Sequence, residues 1–172
     1  MNIFAHIEPF QEFDDVMYYT LRFEYDDEEF DSFSEMEKFI EKFKTTGGDI
    51  YEEFSTILTL IKEIGYRGAK AKYFRSEELA EALPGRPSRT DFMTINIDSK
   101  VRLYCIRLSE SVVILYNGDI KTVNGAEFCP NVKGYFREIN KIAKNITREI
   151  RDNHFILEHK CIRCDDELSV EI

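Results

Sequence analysis

Residues 16–25, VMYYTLRFEY, concentrate aromatic and β-branched side chains and predict a first strand. The polar run that follows ends in Ser32-Phe33-Ser34-Glu35, a spacing that fits a capping box opening a helix. Phe33, Met36, Phe39, Ile40 and Phe43 then recur at three- and four-residue steps, so one face of that helix is apolar. TTGGD interrupts the pattern, because paired glycines favour a turn. A second helix is expected from Asp49, with Ile50, Phe54, Ile57, Leu58, Ile61 and Ile64 on one face and Gly65 as its stop. So short a connection predicts two antiparallel helices forming a hairpin.

Beyond the hairpin, YRGAKAKYFR (66–75) mixes cations with small and aromatic residues. A short helix is expected from Ser76 to Pro84-Gly85, then a loop through GRPSRT. From residue 91 the period changes to two. DFMTINI (91–97), VRLYCIRL (101–108) and SVVILY (111–116) read as an antiparallel meander joined by tight turns. Alternation puts Arg102, Tyr104 and Ile106 on one face of the middle strand, and Leu103, Cys105 and Arg107 on the other. Residues 132–151 again carry a helical pattern. Val132, Phe136, Ile139, Ile142, Ala143 and Ile146 lie inward, and Lys133, Arg137, Lys141, Lys144, Arg148 and Arg151 form a basic outer stripe. HFILEHKC and ELSVEI would make a terminal hairpin turning within 162–166. The whole reads as one α+β domain, 1–172, with a core of about 16–150 and extensions at 1–15 and 152–172.

Charge changes this picture more than composition does. The chain is acidic overall, at −10, but residues 1–56 hold −12 and residues 57–151 hold +6. A basic middle flanked by acidic ends fits either an anionic ligand on the middle segment or an ordinary mixed surface. No apolar run reaches about 18 residues, and MNIFAHIEPF does not resemble a secretory leader, so the expectation is a cytoplasmic protein. Cys105, Cys129, Cys161 and Cys164 are then expected as reduced thiols. Cys161-Ile162-Arg163-Cys164, with His159 nearby, is one knuckle short of a usual zinc site, so no metal and no cofactor is expected.

A strand, a helical hairpin and a meander with a basic loop resemble the RelE/HigB superfamily of toxins, in its phage-derived HigB-like branch. DFMTINI stands where that branch has Leu-Tyr-Glu-Leu-Arg, VRLYCI where it has Tyr-Arg-aliphatic-aliphatic-Tyr, and VVILYNGDIKT where it has an aliphatic strand leading to Lys-Lys-Thr. Asn96 replaces the expected arginine of the first motif, and Lys121-Thr122 keeps only one lysine of the third. The resemblance implies a metal-independent endoribonuclease that cuts messenger RNA, typically in the ribosome, and is neutralised by an antitoxin protein.

On that resemblance Arg102 would clamp the scissile phosphate, Lys121 would stabilise it or move a proton, and Tyr116 would stack on a base or donate a proton. Arg67, Lys70, Lys72 and Arg75 would contact RNA phosphates, with Tyr73 and Phe74 stacking on bases. Beside each role stands an ordinary one: a salt-bridged arginine, a packed tyrosine, a solvated loop. Two further readings remain open, a non-catalytic protein- or RNA-binding module on the same scaffold, and a module whose acidic helices bind a basic partner.

Overall fold

The central strands are buried on both faces, and that settles the layering. In the computed structural model, which describes residues 2–26, 29–86, 92–93, 95 and 98–172, ten strands and three α-helices are assigned in an α+β fold. Strands β1 (Phe4–Glu12), β2 (Met17–Tyr25) and β3 (Glu29–Phe30) come first. Helices α1 (Glu35–Phe43) and α2 (Gly48–Arg67) follow. Next come β4 (Arg75–Glu77), β5 (Ala80–Leu83), β6 (Val101–Arg107) and β7 (Val112–Ile120). Helix α3 (Lys133–Arg151) then leads to β8 (Ile156–Glu158), β9 (Cys161–Arg163) and β10 (Ser169–Glu171).

The main sheet runs β10-β1-β2-β7-β6-β5-β4, antiparallel except where β2 lies parallel to β7. Its two faces carry two cores. Val16, Tyr18, Leu103, Cys105, Val113 and Leu115 pack against Met36, Phe39 and Phe43 of α1 and Phe54, Ile57 and Ile64 of α2. Tyr19, Leu21, Tyr104, Ile106, Ile114 and Tyr116 pack against Phe136, Ile139, Ile142 and Ile146 of α3. β6 and β7 therefore need apolar side chains at successive positions, and VRLYCIR and VVILY supply them.

Helix α1 starts two residues later than its first capping signal. Ser34, not Ser32, is the cap: its Oγ accepts from the Glu37 N–H, and the Glu37 carboxylate accepts from the Ser34 N–H at 2.7 Å. Glu35 is freed for another task below. Helix α2 runs past Gly65 to Arg67 and is ended by Gly68 at φ 89°. Gly65 is needed inside the helix because Phe13 presses on it; a Cβ there would lie 2.4 Å from Phe13 Cγ.

Two expectations are corrected, and a third lies elsewhere. The segment expected as a helix from Ser76 is the β4/β5 hairpin, since β5 completes the sheet beside β6 through Leu83↔Leu103 and Glu81↔Cys105. The strand expected at 91–97 falls largely outside the described residues. HFILEHKC forms a hairpin by itself (β8/β9), whereas ELSVEI supplies β10 and pairs with β1 through Ala5↔Val170.

Candidate functional site

The β4/β5 hairpin extends the sheet past β6 and is met by α3, whose Asn140 Oδ1 accepts from the Leu79 and Ala80 N–H groups; beside that contact the same face carries polar side chains. Across this patch Arg75 of β4 pairs with Ala82 of β5, and Ala82 pairs with Tyr104 of β6. Arg102 lies two residues further along β6, on the same face by strand alternation.

What results is a cavity of about 430 Å³ lined by Arg75, Asp98, Ser99, Lys100, Arg102, Lys121 and the 122–124 loop. Arg102 is only 6% exposed. Its Nη1 donates to the carbonyls of Ser99 (2.7 Å) and Val101 (3.0 Å), which fixes the guanidinium plane. Burial, seconded by the charge of Arg75, pushes Arg102 down to about 10 against the pull of Tyr104 and Glu77, so it remains charged at neutral pH. Burial also lowers Arg75. Three buried donors here have no partner among the described residues: Arg75 Nε, Arg102 Nε and the Tyr104 hydroxyl. Burial holds that phenol well above its ordinary value, so it keeps its proton and can donate.

Two neighbours tune this group. Glu77, two residues from Arg75 on the same strand face, is raised by burial while Lys121, Arg75 and Arg102 pull it back. Cys129 anchors the loop that carries Lys121. Burial opposes ionisation of its thiol, but hydrogen bonds from the Thr122 N–H and hydroxyl and from the Asn131 and Val123 backbone outweigh it, giving about 7. The sulfur is wholly enclosed. It fastens residues 120–131 together rather than meeting a ligand.

The expected site residues divide. Arg102, Lys121 and Arg75 line one cavity. Tyr116 does not belong there: it is buried against α3, and its hydroxyl donates to Glu138. Tyr116 and Glu138 line a separate cleft with Glu35, Lys38, Asn117 and Tyr135. That cleft opens where β7 parts from β2 after Thr20↔Leu115, at a one-residue slip between Leu103↔Gly118 and Cys105↔Leu115. Glu35 accepts there from Asn117 (2.9 Å) and Lys38 (2.5 Å).

Tyr73 and Phe74, expected as stacking platforms, are core residues at 2% and 3% exposure. Tyr73 meets Phe92 edge-on, and no face is open to a base. Arg67 is exposed, 3.4 Å from Glu63 and over the Phe92 ring. Lys70 and Lys72 are exposed, the latter 5.3 Å from the Tyr73 ring centroid. Arg107 faces the other side of the sheet, bonded to Glu81 and to the Ala69 carbonyl. Cys161 begins β9, and Cys164 bonds to the Asp166 carbonyl. Among the described residues no three His, Cys, Asp or Glu side chains are grouped to hold a metal, and no helix is long and apolar enough to cross a membrane. Tyr104 and Glu77 were missed as site residues: alternation put Tyr104 on the face of Arg102 without giving it a role, and Glu77 fell in the expected short helix.

The chain matches no family model, no curated protein and no solved structure.

Proposed function

We propose that this protein is a toxin-like, metal-independent endoribonuclease acting on messenger RNA, held in check by an antitoxin protein. The observation that carries the reading is that Arg102 and Lys121, the two cations the resemblance singles out, open into one cavity together with Arg75. In the proposed reaction the ribose 2′-oxygen attacks the adjacent phosphorus as the bond to the 5′-oxygen breaks, leaving a 2′,3′-cyclic phosphate and a 5′-hydroxyl. Negative charge grows on the phosphoryl oxygens; Arg102, fixed through Nη1, receives it together with Arg75 in the same cavity. Glu77, whose carboxyl burial brings closer to neutrality, takes the 2′-hydroxyl proton, and Lys121 gives one to the departing 5′-oxygen.

A second reading, an RNA-binding module without catalysis, is favoured by one observation: Tyr116 is closed into another cleft with Glu138. Induced expression in bacteria separates the two. Growth arrest with messenger RNA decay, lost in Arg102→Ala, supports cleavage. Normal growth with RNA still retained by the purified protein supports binding alone.

A further inference from the structure

We infer that the cavity, besides meeting a phosphodiester in transit, holds most tightly the terminal phosphate of an RNA strand or nucleotide, a phosphomonoester with three free oxygens. The inference rests on reading the cavity as an RNA-phosphate site and specifies which phosphate it holds. Buried donors are almost always paired, so a group of unpaired ones marks a place for a missing acceptor. Three such donors share this face: Arg75 Nε, Arg102 Nε and the Tyr104 hydroxyl. Arg102 is more than nine-tenths buried and lines the cavity itself.

The sheet brings the three together. Arg75 and Tyr104 stand two strands apart in one row, about 10 Å between backbones at ordinary strand spacing, with only Ala82 between them. Arg102 reaches in from two residues along β6, tethered through Nη1 so that Nε is left over.

The number of donors and the charge agree on the ligand. A phosphodiester offers two free oxygens and one negative charge. A phosphomonoester offers three strong acceptor oxygens and close to two charges at neutral pH. Of the lining side chains four are cations, Arg75, Lys100, Arg102 and Lys121, and one is a carboxylate, Asp98, with Glu77 and Glu53 close behind them. That lining favours a multiply charged anion over a singly charged one. As bidentate or side-on donors, guanidinium groups suit phosphate oxygens better than a lysine pair would. Either end of a strand supplies this chemistry: a 5′-phosphate, or the 3′-phosphate left once a cyclic product is hydrolysed.

The test is calorimetric titration of the intact protein with an uncleavable deoxyribo-oligonucleotide in three forms: 5′-phosphate, 3′-phosphate, and hydroxyl at both ends. Inorganic phosphate serves as competitor. The inference expects one phosphorylated form to bind at least tenfold tighter than the hydroxyl form, and which one identifies the end. Inorganic phosphate should displace it. Arg75→Gln should abolish the preference. Tyr104→Phe should weaken phosphate binding several-fold while leaving the melting temperature of the free protein equal or higher, because the lost hydroxyl has no partner among the described residues. Phosphorylated and hydroxyl forms binding within twofold of each other would overturn the inference, whether or not the protein cuts RNA. A preference for phosphorylated ends in a protein that cuts no RNA would uphold it and remove the ribonuclease reading.

Discussion

Arg75 and Tyr104 flank Ala82 in one row across the sheet, and neither the arginine Nε nor the tyrosine hydroxyl finds a partner among the described residues. Side chains so placed are costly to the free protein and useful only to an incoming acceptor. The account of this molecule turns on that relationship and on Arg102 and Lys121 beside it.

Tyr116 is a structural residue in this account. Tyr116→Phe removes the donor that meets the half-buried Glu138 carboxylate, and should cost about 1–3 kcal/mol of stability. Urea denaturation measures the loss, and RNA binding by the folded variant should be unchanged. Loss of RNA binding with unaltered stability would return Tyr116 to the site.

Glu138 also predicts a pH effect. Burial is the largest cause raising its pKa; the Tyr116 hydrogen bond opposes this, and the Glu35 charge adds to the rise. A carboxyl raised in the folded state binds its proton more readily there than in the unfolded chain. Its destabilising effect is thus full above the folded pKa and fades as pH falls toward the unfolded value of about 4.5. Glu138→Gln keeps an acceptor for Tyr116 without the charge. The stability of the variant relative to the native protein should therefore fall as pH is lowered from neutral toward about 4.5 in thermal melts.

Gly65 is confined by Phe13 rather than by its own backbone. Gly65→Ala would normally favour a helix, yet the added Cβ meets the Phe13 ring at 2.4 Å, and the variant should lose about 1–3 kcal/mol. Gly65→Ala combined with Phe13→Leu should recover part of the loss, which a double-mutant cycle reads directly.

Arg107 lies on the opposite face from the cavity, paired with Glu81 at 3.2 Å. Arg107→Ala leaves that partly buried carboxylate alone and should cost about 1–3 kcal/mol. RNA cleavage per folded molecule should not change.

Much of the fold was legible because period and burial coincide. The apolar stripes of α1, α2 and α3 and the continuous apolar runs of β6 and β7 bury most of what their spacing says they bury, the exceptions being Phe33, which precedes the α1 cap, and Leu58, both exposed. β1 was not legible: FAHIEPFQE places Pro9 and three polar residues in its second half, at a register shift between Pro9 and Gln11. SEELAEAL favours a helix locally, and only pairing with β6 makes part of it a strand. At the site, alternation along β6 placed Arg102 on the same face as Tyr104. Nothing in sequence could reveal that Tyr104 is buried without a partner, or that the aromatic pair Tyr73 and Phe74 turns inward.

The most direct test of the central claim is cleavage of a single-stranded RNA by the purified protein in excess EDTA, followed by analysis of the fragment ends. The account predicts cleavage at a rate insensitive to the chelator, giving fragments with 2′,3′-cyclic or 3′-phosphate ends. Arg102→Ala and Lys121→Ala should each lower the rate on the order of 100-fold while circular dichroism stays native. Cleavage that both variants carry out at the native rate would contradict it.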